Sequence, residues 1–442
     1  MRSDGALRCP RSSYPERCTS PVPRRAPALT PHQQSAFEAV YARLKAGERF
    51  TTLQGYAGTG KTYLIGRLIR RLTRAGTFVR VCAPTHKAAQ VLQKTVASRA
   101  VRAQTIHAFL GLRLVPDRRG GYKLEPEKGR RLPSDGVVIV DEASMVGMQE
   151  WAFVEQAANV QWLFVGDPAQ LPPVNEDPSP VFHQAGPTLE EIVRQQRDNP
   201  ILAFATSVRQ REPLALDGRF ENGQGIGVTR RRDAFLASAI RSFGDAAFRA
   251  DGSFARVLAY RNRTVQAYNT QIRAALHGPA APRFLPGEWL VARDTWFLEG
   301  VPMLFNSEEV QILRAVEGED DGPETGAWKV WLLEVTTGED DVPTRYLRVL
   351  HEAEAQRYAD RLARLKADAL KEEGDWKPYY ALRERFAGVD YVYSMTIHRA
   401  QGSTFDTAFV DYRDTLACRG AERHPLLYVA VTRPSKRLAL LV

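Results

Sequence analysis

No run of about 18 or more apolar residues occurs in this chain, so nothing in it is suited to cross a membrane as a helix. Cysteine is scarce as well: the four present, Cys9, Cys18, Cys82 and Cys418, include no closely spaced pair of the zinc-binding type. A structural metal is therefore not expected, and a reducing cytoplasm is. The N-terminal segment carries arginines but lacks the apolar stretch that a secretory signal requires, and residues 1–28, rich in Pro, Arg and Ser, read as a disordered basic tail.

What is present is an ordinary globular composition, 44% hydrophobic and 25% charged, in 442 residues, a length that calls for two or more compact units. The formal net charge of +10 suggests a polyanionic partner, although a GC-rich genome also raises the Arg count, and Arg far outnumbers Lys here. From residue 29 to about 195, apolar β-rich runs (Phe50 to Gln54, Phe78 to Ala83, Val137 to Val140, Trp162 to Val165) alternate with helical patterns. Such alternation predicts a mainly parallel sheet flanked by helices. A basic stretch between His107 and Gly136, with a turn signal at Arg118 to Gly121, predicts a hairpin inserted at about 112–134.

A second α/β unit is expected from near Pro200 to 283, with a strand at Arg256 to Tyr260, and again from 386, with Val389 near its start, to 442. Between them, 284–385 holds short strands (Glu288 to Ala292, Glu309 to Leu313, Trp328 to Val335, Arg345 to Leu350) and then a helix whose Tyr358, Leu362, Leu365 and Ala369 share one stripe. A small β-barrel with an attached helical element is the simplest reading, with Trp289, Trp296 and Trp328 in its core. No internal repeat is evident.

The chemistry-bearing signal is Gly55-Tyr56-Ala57-Gly58-Thr59-Gly60-Lys61-Thr62, a P-loop between a strand and a helix starting at Lys61. Its glycines let backbone N–H groups converge on phosphates at a helix N-terminus. Lys61 neutralises β/γ-phosphate oxygens, and the Thr62 hydroxyl suits magnesium. Gly55, Gly58, Thr59 and Gly60 complete the ATP-binding loop. The strand VVIV then ends in Asp141 and Glu142, placed to hold magnesium and to activate water respectively. After the next apolar strand, GDPAQLPP offers Gln170 to a γ-phosphate. Thr85-His86-Lys87 follows the Phe78 to Ala83 strand, and Thr105-Ile106-His107 comes later in the chain.

Together with LTPHQQ, APTHKAA, QTIHAFLG, VDEASM, EIVRQQ, SMTIHRAQGSTFD and LLYVAVTR, these motifs resemble, in order, those of superfamily 1 helicases of the B-type branch, similar to Dda-like phage helicases, the motor portion of RecD-like helicases and the Pif family. The resemblance spans residues 29–442. It implies an α/β fold of two RecA-like parallel-sheet domains, 1A over 29–195 and 2A over 196–283 and 386–442. A hairpin insert 1B is implied at 112–134, together with an SH3-like β-barrel insert 2B at 284–385. It further implies Gln33 as the adenine-reading glutamine, Gly402 lining the phosphates, and Arg194 and Arg433 stabilising γ-phosphate charge. Thr85, His86, Thr105, His107, Thr396 and His398 would contact the nucleic-acid strand.

The implied activity is an ATP- and Mg²⁺-dependent DNA helicase moving 5′ to 3′ on single-stranded DNA, binding junctions with duplex through the hairpin near Arg118 to Tyr122. It would act as a monomer, with single-strand-binding or replication proteins as candidate partners. A translocase that remodels nucleoprotein without unwinding, or an RNA motor of the same superfamily, would share every ATP motif. Two features of the sequence depart from the family: Ser403 and Thr404 stand where some relatives carry an acid, and Pro434 after Arg433 biases that arginine toward extended backbone.

Overall fold

The computed structural model describes residues 28–442 apart from 97–100, 118–119, 131, 134, 158–159, 174–175, 193–198, 215, 222, 299–300, 322–325, 339–341 and 372–373. Residues 1–27 of the expected tail (1–28), with Cys9 and Cys18, and also Arg194 and the expected turn residues Arg118 and Arg119, thus lie outside the described residues.

The first unit opens with α1 (Pro31–Lys45). Its start is set by Thr30, whose hydroxyl accepts from the Gln33 N–H while the Gln33 side chain accepts from the Thr30 N–H, with Pro31 in the first turn. The chain continues through β1 (Phe50–Gly55), α2 (Lys61–Arg74), β2 (Val79–Ala83), α3 (His86–Val96), β3 (Ala103–Thr105) and α4 (Ile106–Leu110). An antiparallel hairpin, β4 (Leu112–Pro116) and β5 (Tyr122–Pro126), follows, and then β6 (Val137–Val140), α5 (Met148–Gln156), β7 (Gln161–Gly166) and β8 (Thr188–Leu189). Six of these strands form one parallel sheet in the order β3-β2-β6-β7-β1-β8. All four residues of β6 are buried, which is why that strand is a continuous aliphatic run rather than an alternating one.

The second unit contains α6 (Pro200–Arg209), β9 (Arg219–Glu221), β10 (Gln224–Thr229), α7 (Arg232–Phe243), α8 (Ala246–Ala250), β11 (Ala255–Ala259) and α9 (Asn262–His277). The chain then leaves for a third unit: β12 (Trp289–Ala292), β13 (Trp296–Leu298), β14 (Val301–Leu304), β15 (Glu309–Asp320), β16 (Trp328–Thr336), β17 (Arg345–Leu350), α10 (Ala355–Ala369), α11 (Lys377–Arg383) and β18 (Val389–Tyr391). It returns as β19 (Ser394–Thr396), α12 (Ile397–Ala400), β20 (Phe405–Asp411), α13 (Tyr412–Thr415), α14 (Arg423–Thr432) and β21 (Pro434–Leu441). The second sheet runs β19-β11-β20-β21-β10-β9, parallel except for the antiparallel edge strand β9. Position for position it has the order of the first, with β19 standing where β3 stands and β10 where β1 stands.

The third unit is a five-stranded antiparallel sheet, β17-β16-β15-β12-β18, with the small hairpin β13–β14 beside it. Trp289, Trp296 and Trp328 are buried, and the α10 stripe of Tyr358, Leu362 and Leu365 packs on Trp328, Leu382 and Phe386. Two expectations need correction. Val389 does not restart the second unit: Val389–Tyr391 pairs antiparallel with Trp289–Ala292, and the second sheet resumes only at Ser394. An apolar run does not disclose which sheet it joins. The hairpin β13–β14 was not anticipated, because its residues are half exposed and include Pro302.

Across the molecule, α11 holds the β4–β5 hairpin. The Tyr380 hydroxyl lies 3.0 Å from the Asp117 carbonyl and 2.6 Å from that of Gly121, and Arg383 donates to the Gly120 carbonyl at 2.8 Å. Tyr122 in turn donates to Glu384 at 2.6 Å and packs edge-on against Tyr380.

Candidate nucleotide site and strand-facing edge

Both sheets present their functional residues at the carboxyl ends of their strands, where helix N-termini and loops meet. In the first unit β1 ends at Gly55, where an added Cβ would lie 2.8 Å from the Leu189 Cβ, and the loop reaches α2 through Gly60 at φ 81°, left-handed backbone that suits glycine. The Lys61 ammonium folds back to donate to the Gly55 and Tyr56 carbonyls at 2.7 and 2.9 Å. Thr62 occupies the next position of α2. Gln33 is buried, one N–H of its amide donating to the Thr59 carbonyl at 2.9 Å, so it braces the loop from behind.

Asp141 and Glu142 follow β6. The Asp141 carboxylate accepts from the Glu142 N–H at 2.9 Å, and Glu142 itself sits at φ 53°, an uncommon conformation for a side-chain-bearing residue. Burial, and then the charge of Glu142, raise the Asp141 carboxyl to about 7, with only partial relief from the Glu142 N–H and from Lys61. Two carboxylates on adjoining residues, one of them raised by burial and by its neighbour's charge, are hard-oxygen donors that fit a magnesium ion.

Residues of the second unit close over this loop. The Tyr428 hydroxyl, from α14, accepts from the Ala57 N–H at 3.1 Å and donates to Asp167 at 2.7 Å. Arg209 pairs with the same Asp167 and stacks 3.9 Å over the Tyr56 ring. The Gln401 amide donates toward Ser144 and the Leu171 carbonyl at 3.2 Å, and lies 3.5 Å from Gln170. Gly402, at φ 75°, approaches the first unit at Ala88.

Arg433 is buried, with its guanidinium on the Val429 and Ser403 carbonyls, both at 3.1 Å, and on the Thr432 hydroxyl at 3.0 Å. Burial lowers its pKa, opposed first by the charge of Glu142, which places it in the electrostatic reach of that carboxylate. The expectation of extended backbone before Pro434 fails: Arg433 is right-handed helical, φ −75° and ψ −35°. It serves as the C-cap of α14, and its carbonyl accepts from the Phe405 N–H, so packing overrides the local bias. Of the residues that reach across the cleft, Tyr428, Arg209 and Gln401 were missed by the sequence reading. Tyr428 and Gln401 stand inside the motifs LLYVAVTR and HRAQGSTFD. Arg209 carries no local signal.

The residues expected to contact the strand lie toward the β3 and β19 edges of the two sheets, at the same carboxyl ends. Thr105 and Thr396 each end a strand and Thr85 lies two residues past β2; all three precede a helix, their hydroxyls accepting from the N–H groups of Ala108, Arg399 and Ala88. His107 pairs with Glu150 at 2.8 Å and His398 with Glu422 at 2.7 Å. His86 stacks on Phe305 of the third unit, centroids 3.8 Å apart, and Lys87 reaches Glu309 there at 2.8 Å. No described helix is long and apolar enough to cross a membrane.

Residues 28–224 match the model of an AAA domain, and residues 391–441 that of a UvrD-like helicase C-terminal domain. The chain is 27% identical to the ATP-dependent DNA helicase dda of Enterobacteria phage T4, over 92% of this chain and 97% of that protein. It is 35% identical to the ATP-dependent RecD2 DNA helicase of Deinococcus radiodurans, over 42% of this chain and 24% of that one. Among solved structures, Pif1 helicase from Bacteroides in complex with ADP-AlF3 and ssDNA shares the fold, with a TM-score of 0.51 at 15% identity, covering 94% of this chain and 92% of that chain.

Proposed function

From the premise that this chain belongs with the B-type superfamily 1 helicases of the Dda, RecD and Pif kind, enzymes that hydrolyse ATP, we propose that it moves 5′ to 3′ along single-stranded DNA and unwinds the duplex ahead of it. The observation that supports the reading is the phosphate cradle at Gly55 to Thr62, which Tyr428 of the other unit reaches at Ala57 while Gln401 of that unit meets Ser144 and Leu171. A site split between two units closes when nucleotide enters and relaxes when it leaves, and that is how hydrolysis becomes relative motion.

In this reading Lys61 moves from its two carbonyls to the β/γ-phosphate oxygens. The Thr62 hydroxyl and Asp141 would hold Mg²⁺, which when bound draws charge from the phosphates. Glu142 takes the proton of the attacking water, and Gln170 borders the γ-phosphate. Arg433 leaves the Val429 and Ser403 carbonyls to meet the charge that develops, with Arg194 its counterpart. Gln33 keeps one amide N–H for the adenine base, and Gly402 lines the phosphates.

We assign the units as 1A (29–195, with the hairpin as 1B), 2A, and the third unit as an SH3-like 2B. Thr85, His86, Thr105, His107, Thr396 and His398 are assigned to the DNA strand, and the hairpin, held by α11, to the strand-separating wedge. The protein is proposed to work as a monomer. The test is a pair of duplexes with a single-stranded tail at the 5′ or the 3′ end. Opening of the 5′-tailed duplex alone, dependent on ATP and magnesium, is the expected result; opening of the 3′-tailed duplex alone would reverse the direction.

A further inference from the structure

Asp167 is fully buried at the end of β7 and belongs to the first unit, yet two of its partners, Arg209 and Tyr428, come from the second. Tyr428 joins two sets of hydrogen bonds through its own covalent frame, one at its hydroxyl and one at its main-chain carbonyl. On one side the Ala57 N–H of the phosphate loop donates to it and it donates to Asp167. On the other, one turn further along α14, the Thr432 hydroxyl lies 3.0 Å from the Tyr428 carbonyl and 2.9 Å from that of Val429, and accepts from the Arg433 guanidinium at 3.0 Å. The tyrosine is therefore the point at which the helix bearing Arg433 is fastened to the loop that Arg433 must face.

We propose that Tyr428 is a positioning residue for ATP hydrolysis: its hydroxyl, clamped between Ala57 and Asp167, sets the height and rotation of α14 over the phosphate loop and so delivers Arg433 to the γ-phosphate. A buried hydroxyl that satisfies one donor and one acceptor across a cleft is directional in a way that apolar packing is not. Arg209 supports the clamp from the far side, neutralising Asp167 while stacking on Tyr56, the loop residue adjoining Ala57. The arrangement makes the arginine's position depend on the loop's shape, so loop movement on nucleotide binding is passed to α14 through one oxygen atom. This inference rests on the ATPase reading above.

The test uses the full chain with wild type, Tyr428→Phe, Arg433→Ala and the double variant, measuring kcat and KM for ATP in saturating single-stranded DNA together with Tm. Phenylalanine keeps the ring and removes only the hydroxyl. Tyr428→Phe is expected to lower kcat about tenfold with KM within about twofold, the signature of an interaction made in the transition state. In the Arg433→Ala background it is expected to cost nothing further, because its effect passes through that arginine. An unchanged kcat, or losses that multiply in the double variant, would overturn the proposal. Asp167→Asn, which keeps shape and weakens the clamp, guards against misfolding: it must reproduce the kcat loss, and a wild-type kcat there also overturns it. Absence of strand-stimulated turnover in the wild type would instead remove the ATPase reading itself, and this inference with it.

Discussion

The two six-stranded sheets have the same strand order but are furnished differently, and in the function proposed above the difference separates gripping from fuelling. At their matching edges, β3 and β19, both carry the tripeptide Thr-Ile-His: Thr105-Ile106-His107 and Thr396-Ile397-His398. Each threonine caps a short helix and each histidine meets a glutamate, Glu150 or Glu422. At the ends of β1 and β10 the likeness stops. β1 opens into the glycine-rich loop, whereas β10 passes through Arg230 and Arg231 straight into α7, with Arg231 ion-paired to Asp233. A motor needs two grips that alternate, but only one fuel site to time them.

The largest expected effect breaks that asymmetry at its source. Lys61→Ala should lower strand-stimulated ATP turnover on the order of 10³-fold, since a charged donor to the transferring phosphate is lost. Binding of single-stranded DNA should stay within about twofold, as should turnover in Arg231→Ala at the matching place in the second unit. Comparable losses in both variants would mean that the second unit also serves the phosphates.

A second test concerns the acid that ties equivalent edges together. Glu309 of the third unit accepts from Lys87, which follows β2, and from the buried Arg256 of β11, the strand that matches β2. Burial raises the pKa of Glu309, but Arg256 and then Lys87 outweigh it and hold the carboxyl at about 2, below its ordinary 4.5. A depressed acid stabilises the fold fully above its unfolded value, and that contribution disappears as pH falls from there through the folded value. Glu309→Gln should therefore cost about 3 kcal/mol in denaturant titration at neutral pH, leaving Arg256 uncompensated, and much less near pH 3. A cost independent of pH would show that packing rather than charge is at stake.

Replacing residues 116–123 by a short Gly/Ser turn is expected to slow unwinding about tenfold, roughly 1.4 kcal/mol in the rate-limiting barrier. Strand-stimulated ATPase should be spared. Equal loss of both would assign the hairpin to the tracking strand. The smallest effect sharpens the comparison most: Thr105→Val and Thr396→Val should each weaken single-strand affinity about fivefold, one hydrogen bond apiece. Unequal losses, once Tm is matched, would mean that the shared tripeptide does not mark equivalent grips.

The phosphate loop and its carboxylates were legible in the sequence because their chemistry is local: glycines, a lysine and two acids must follow their strands directly. The buried strand Val137–Val140 was legible for the same reason. The Thr-Ile-His pair was not read as a repeat, since three residues acquire meaning only when β3 and β19 are seen to hold matching places. Tyr428 and Gln401 act on partners 230 or more residues away in sequence, and Arg209 on Asp167 and Tyr56 in the other unit, so nothing near them announces their role. The helical Arg433 before Pro434 shows the converse, a local preference overruled by where α14 must end.

The hairpin tip is held through main-chain oxygens: Tyr380 and Arg383 address the carbonyls of Asp117, Gly120 and Gly121. Every amino acid supplies that oxygen, so the brace does not inspect what the tip is made of. Gly120 and Tyr122 are exceptions: a Cβ on Gly120 would lie 3.0 Å from the Trp376 ring and its φ is 79°, and Tyr122 is held by its own side chain at Glu384 and Tyr380. Positions that the brace meets only through a carbonyl can change with the mounting intact, so a hairpin proposed to stand at the strand junction is open to rapid change while the support beneath it stays the same.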